Sequence, residues 1–130
     1  MNTAIRQTVM PHIGGTELKI RFNVPRKMLD ENTVHAILRI VRELANNAVR
    51  HGGATLVRVT GCLDGGSLLF RVKDNGRGFD LKAAPGITEG HFGLQGIRER
   101  AKGFNGNISI DSAPGNGTTV TIRMGMTNHG

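Results

Sequence analysis

The sequence predicts an α/β domain, and three patterns carry the prediction. Residues 16–24 alternate apolar with polar side chains, the stretch from Asp30 to His51 changes to helical spacing, and two later pairs of alternating runs each enclose a glycine-containing turn. At 130 residues and 38% hydrophobic content the chain can bury one core and is too small for two, so one domain is expected.

The elements follow in order. Residues 1–15 show no sustained periodicity and contain Pro11 and Gly14-Gly15; they read as a lead-in, or the remnant of an upstream helix, before a domain at 16–126 and a tail at 127–130. Leu18, Ile20, Phe22 and Val24 alternate with Glu17, Lys19, Arg21 and Asn23, as in a half-buried strand that Pro25 ends. Along the helix, Val34, Ile37, Leu38, Val41, Ala45 and Ala48 share a face; Asp30 can cap the start and Gly52-Gly53 close the end. Residues 55–62 and 67–74 make a hairpin around Asp64-Gly65-Gly66. From Asn75 to Phe92 the chain is glycine-rich, holds Pro85 and has little apolar content, the composition of a functional or disordered loop. A second helix is expected over 93–102. Ile108 and Ile110, then Val120 and Ile122, mark a final hairpin with a wide turn at 112–117.

Composition narrows the function. With five Phe and neither Trp nor Tyr, no aromatic platform exists for stacking successive bases, which argues against a single-strand nucleic-acid binder. The one cysteine, Cys62, cannot form an internal bridge and, following an apolar alternation, reads as a buried structural thiol. No leader or membrane-spanning run is visible, so a cytoplasmic domain without membrane contact is expected. The net charge of +7 favours polyanionic partners, nucleotides included. Basic residues cluster only at Arg26-Lys27 and at 98–102; several others stand two apart, as on a strand surface, which leaves a solvated surface and a functional basic face both open.

Three constellations carry chemistry. Glu43, Asn47, Arg50 and His51 stand three or four apart on the long helix and are expected on one ridge opposite the apolar stripe. The Asn47 amide oxygen can ligate a hard cation such as Mg2+, and Arg50 and His51 can meet phosphate charge. An amphipathic helix showing water its polar side accounts for the same pattern. The second constellation, Asp74-Asn75-Gly76-Arg77-Gly78-Phe79, follows an apolar strand: the glycines allow close backbone approach to a flat ligand, and the carboxylate can accept from an exocyclic amine such as that of adenine. A plain turn is the alternative. The third, Gly90-His91-Phe92-Gly93-Leu94-Gln95-Gly96, leads into a helix whose free N–H groups suit phosphates and whose glycines suit a lid hinge. Thr118 and Thr119, after Gly117, add hydroxyls that can bond a base or a water.

Taken in order, Glu43 to His51, Asp74 to Phe79, Gly90 to Gly96 and Gly117-Thr118-Thr119 resemble the boxes of the ATP-binding superfamily of gyrase, Hsp90, MutL and the histidine kinases. The wording from Arg42 to His51, with Phe92-Gly93-Leu94 and Ile97-Arg98-Glu99-Arg100-Ala101, is similar to the catalytic domains of sensor kinases that pair with response regulators of the nitrate-response (LuxR-like) type. The resemblance covers residues 17–124 and implies a two-layer α/β sandwich of the Bergerat type: a mixed sheet with helices on one face and Mg-ATP between them under a lid. By position it implies that Asn47 ligates Mg2+, Asp74 binds the adenine amine, Gly76 and Gly78 admit the base with Phe79 beside them, and Gly93, Leu94 and Gly96 shape lid and phosphate contacts. Glu43 stands where gyrase-like relatives keep a base; in a kinase it would polarise the attacking imidazole. The lid departs from the family pattern in the spacing of Gly90 and Gly93 and in Ile97, where methionine is common.

The implied function is the catalytic part of a two-component histidine kinase. It would donate the γ-phosphate to a histidine on a separate dimerisation helix of the parent protein, with a response regulator downstream and no nucleic-acid partner. His12, in a Pro- and Gly-rich lead-in, and His35, on the domain's own helix, are not credible acceptors. Rival readings are a stand-alone serine kinase of the anti-sigma type, a nucleic-acid-binding module suggested by the charge, and a non-catalytic nucleotide-sensing scaffold.

Overall fold

A computed structural model describes residues 1–78 and 94–125, the side chains of Leu94 and Gln95 excepted. The first helix, α1 (Asn2–Ile13), occupies the stretch whose sequence showed no sustained period. Ile5, Val9 and Ile13, each four residues apart, are almost completely buried. One apolar residue per turn, interrupted by Pro11, is a faint signal, and it becomes a helix because that narrow stripe has a surface to pack on. α1 lies against α2 (Glu31–Arg50) and β1 (Glu17–Phe22). It is pinned where Asn2 Oδ1 accepts the Phe22 N–H at 3.0 Å and Arg6 donates to the Leu18 carbonyl at 3.3 Å.

A short 3-10 turn at Arg26–Met28 leads to α2. The Asp30 carboxylate caps it, accepting the Thr33 N–H at 2.7 Å. Its buried face is broader than the sequence stripe, taking in Ala36, Ile40 and Leu44, while Leu38 is only partly covered. The reason is that α2 packs on two neighbours, α1 along one flank and the sheet beneath.

The sheet has the order β1-β2-β3-β5-β4, with β2 at Leu56–Asp64, β3 at Ser67–Asp74, β4 at Asn107–Ser112 and β5 at Thr118–Gly125. β1 and β2 are parallel, joined through α2; the other pairings are antiparallel, so the sheet is mixed. The β2–β3 hairpin closes where Asp64 pairs with Ser67. From β3 the chain reaches α3 (Leu94–Gly103), which buries Ile97 and Ala101, and returns through β4, parallel to β3 but separated from it by β5. Inward positions of the strands are apolar, from Leu18 through Val57, Val59, Leu68, Phe70 and Val72 to Val120, Ile122 and Met124, until Asp74 and Thr118 at the paired ends of β3 and β5. The ring of Phe22 lies over Gly61 and meets Phe70 at 6.1 Å between centroids. The architecture is the expected two-layer α/β sandwich.

One expectation is corrected. Cys62 is exposed. The period of two that buries Val57, Val59 and Gly61 turns residue 62 to the side of the sheet away from α2.

Candidate functional site

The C-terminal half of α2 stands away from β3 and β5 and leaves an open cleft, about 600 Å³ counted out to its mouth with the solvent it holds. Leu44 and Ala48 of α2 and Val72 and Val120 of the sheet line it, making an apolar slot. Asp74 and Thr118 sit at the strand end of the slot, and Asn47, His51 and Gly52 on the helix side.

Asp74 is half-buried. Withdrawal from water raises its carboxyl above the ordinary Asp range, against the lowering effect of N–H groups donated by Gly76 and Thr118. The Gly76 N–H lies 2.8 Å from Asp74 Oδ1. Thr118 is held in turn by the Ser112 hydroxyl at 2.9 Å. The carboxylate thus has a fixed orientation with acceptor capacity facing the slot, the arrangement needed to read an exocyclic amine.

The turn after Asp74 is gripped on both sides. Asn75 Oδ1 accepts the N–H groups of Thr55 and Leu56, each at 2.9 Å, while its Nδ2 donates to Thr55 Oγ1. The Arg77 N–H donates to the Gly52 carbonyl at 2.9 Å, and the Arg77 carbonyl accepts from Gly115 at 2.6 Å. Glycine is required at two points. A Cβ on Gly76 would lie 2.8 Å from the Gly52 oxygen, and Gly78, at φ 64°, would drive one into the carbonyls of Ala113 and Gly117. The close approach these glycines permit is to protein backbone, joining α2, β3 and the β4–β5 loop into one frame; Gly78 also lines the slot.

On α2, Asn47 and Glu43 are half-buried at the border of the apolar stripe, not opposite it as the sequence suggested, because the stripe widens to include Leu44 and Ala48. Glu43 does not line the cleft. Its Oε1 is 3.6 Å from Arg39 Nε and 3.3 Å from Arg100 Nη1, an ion pair that ties α3 to α2. That buried nitrogen of Arg100 lacks the alignment of a hydrogen bond, so the contact is one of charge.

The structure therefore brings together Asn47, His51, Asp74, Gly78 and Thr118, with Gly76 immediately behind. It does not bring Arg50, which is exposed outside the cleft lining, nor Thr119, which strand alternation sends to the other face of β5, nor Gly96, which lies in the first turn of α3. Phe79, Gly93 and the rest of the expected lid fall outside the described residues, as does the Leu94 side chain. Sequence reasoning missed Leu44, Ala48, Val72 and Val120 as slot residues. A signal was present: Leu44 and Ala48 lie three positions from Asn47 and His51 on the helix, and Val72 and Val120 two from Asp74 and Thr118 on the strands, spacings that share a face. It also missed Asn75 as the anchor of the turn.

Among the described residues no cluster of three or more His, Cys, Asp or Glu could hold a metal by itself. Asn47 offers one hard oxygen at the cleft wall, which fits a Mg2+ that takes its other ligands from phosphates and water.

An apolar slot ending in an oriented carboxylate, on a mixed sheet backed by helices, defines a nucleotide-binding class of α/β domain. Residues 32–128 match the family described as histidine kinase-, DNA gyrase B-, and HSP90-like ATPase. The signal transduction histidine-protein kinase/phosphatase DegS of Bacillus subtilis (strain 168) is 35% identical over 89 residues, 68% of this chain and 23% of DegS. The nitrate/nitrite sensor protein NarQ of Escherichia coli (strain K12) is 33% identical over 109 residues, 82% of this chain and 18% of NarQ. The crystal structure of the ATP binding domain of PrrB from Mycobacterium tuberculosis has the same fold, with a TM-score of 0.74 at 19% identity over 97% of this chain and 93% of that one. The chain spans about a quarter or less of the length of these curated relatives. It belongs to the histidine kinase-, DNA gyrase B- and HSP90-like ATPase family, as its four motifs suggested.

Proposed function

We propose that this chain is the ATP-binding catalytic domain of a two-component sensor histidine kinase. It holds Mg-ATP in the cleft and presents the γ-phosphate to a histidine on a dimerisation helix of its parent, which then passes the phosphoryl group to a response regulator. The observation that carries the reading is the oriented Asp74 carboxylate at the end of the apolar slot, with Thr118 beside it and Asn47 opposite. The ATPase domain is assigned to 16–126, with α1 docked against it and 127–130 as a tail.

Leu44, Ala48, Val72 and Val120 would exclude water from the adenine ring while Asp74 accepts its amine. Asn47 would hold Mg2+ together with phosphate oxygens and water, and the ion, when bound, neutralises phosphate charge. His51 at the cleft wall and Arg50 from its exposed position would donate hydrogen bonds to phosphates leaving the cleft. Glu43, engaged by Arg39 and Arg100, is assigned a positioning role in place of direct polarisation of the acceptor. Catalysis is then mainly orientation and charge neutralisation. Among the described residues no helix is long and apolar enough to cross a membrane.

Isothermal titration with a non-hydrolysable ATP analogue, with and without Mg2+, tests the site. Asp74→Asn should weaken binding by about 10–100-fold, the worth of a hydrogen bond to a charged group. Asn47→Ala should remove chiefly the part of the affinity that depends on Mg2+. Unchanged affinity in both variants would refute the assignment. Supplied with the parent's dimerisation domain, the chain should produce acid-labile phosphohistidine; acid-stable phosphoserine would point to a serine kinase instead.

A further inference from the structure

The face of the sheet turned away from α2 carries a cationic patch that nucleotide binding does not use. Lys19 pairs across the strands with Arg58, and Arg58 with Lys73, so three cations stand side by side on β1, β2 and β3. Arg21 and Arg71 flank Thr60 in the next row. All five cations are exposed. The acidic residues of this face are at its margins: Glu17 lies 3.8 Å from Lys19, Asp64 lies 2.9 Å from Arg123, and Asp111 is on the far strand β4. Arg21, Arg58, Arg71 and Lys73 have no carboxylate partner among the described residues. Like charges directly opposite one another destabilise a sheet, so folding alone gives no reason for this row.

We propose that this face, centred on Arg58 and Lys73, is a docking surface for an acidic, extended segment of a partner protein. Alternate residues of a strand repeat at about 7 Å, so Arg71 and Lys73 match the spacing of alternate carboxylates in an extended acidic segment. Three of the four unneutralised cations are arginines, whose planar forks bond carboxylates in pairs. Thr121 already orients Arg71, accepting from its Nε at 3.2 Å. A bilayer is the weaker fit: the large apolar residues exposed among those described are Met10, Met28 and Leu63, none of which lies on this face, and charge without an inserted apolar group anchors poorly. A polynucleotide is weaker too, since among the described residues the face has no aromatic side chain on which bases could stack. The nucleotide cleft opens on the opposite side of the sheet, so docking leaves it free, and this inference stands apart from the proposed kinase reaction.

The test is fluorescence anisotropy with a labelled peptide of alternating Glu and Thr, compared at one ionic strength of about 0.1 M with phosphatidylserine vesicles and duplex DNA. Arg58→Glu with Lys73→Glu should weaken peptide binding at least about tenfold, and the same charge change made off the face, Arg26→Glu with Lys27→Glu, by less than about threefold. Affinity for the ATP analogue should be the same in both variants and the parent chain, which also verifies folding; Arg58→Gln with Lys73→Gln provides a milder version. Equal losses in the two reversal variants, or tighter binding of vesicles or DNA than of peptide, would overturn the proposal.

Discussion

On the strand side of the cleft, Asp74, Gly78 and Thr118 are fixed by a backbone ladder, by Asn75 and by carbonyl contacts too close to admit a Cβ. On the helix side, Asn47 of α2 and its C-cap His51 line the cleft, and among the described residues the nearby Glu43 has charge contacts with two long arginines. The contrast is between a wall set by backbone contacts and one built of side chains. Recognition of a rigid ring favours the first, because any looseness would be removed on binding at a cost in affinity. Contact with phosphates and a transferred group suits the second, where side chains can follow charge as it moves.

If the strand wall is preorganised, disturbing its backbone should have the largest effect. Gly78→Ala combines an unfavourable φ with collision against two carbonyls, and should cost about 2–4 kcal/mol of stability, read as a lowered melting temperature. A melt within a degree of the parent's would show that the frame yields. Next is Asn75→Ala, which removes the hydrogen bonds to Thr55 and Leu56 and should cost about 1–2 kcal/mol while lowering nucleotide affinity through the displaced Asp74.

Asp74 itself should behave in the opposite sense. Its carboxyl titrates above the ordinary value of 3.8, so the folded state binds more protons than the unfolded one in the window between the two values. Stability is therefore greatest below that window, declines as pH rises through it, and levels off above. Asp74→Asn removes this decline. The variant should be as stable as the parent or more so at neutral pH, with the difference opening as pH rises from about 4, although it has lost nucleotide. A variant less stable at neutral pH than at pH 4, relative to the parent, would show instead that the ionised carboxylate contributes net stability. The smallest effect is expected on the helix wall. Glu43→Gln weakens partly exposed ion pairs and should cost less than about 1 kcal/mol without changing affinity for the ATP analogue. A large loss of affinity would return Glu43 to direct contact with the nucleotide.

The same division explains what could be read from sequence. Helix α2, with its Asp30 cap, and the β2–β3 hairpin were legible because their signals are local: a capping carboxylate, a period, a glycine turn. α1 was not, because its sparse stripe has meaning only once α2 supplies a surface. Cys62 was assigned to the wrong face because an alternating run was extended one residue without following its parity. At the site, the polar residues were recognisable as types, and their order carried the family resemblance. The slot of Leu44, Ala48, Val72 and Val120 was hidden because each also serves as ordinary core. The reason for Gly76 and Gly78 was hidden as well, since it depends on Gly52 and Gly117, which are distant in sequence.

The insertion of β5 between β3 and β4 sets an order of assembly. Until Thr118–Gly125 pairs on both sides, β4 has no neighbour in the sheet, and β3 has an open edge beside Asp74. Thr118 and Val120, half of the strand wall, arrive with that same strand. A growing chain therefore lacks a finished pocket until Thr118–Gly125 is released from synthesis, and this part of the sheet and the pocket wall are completed in one step.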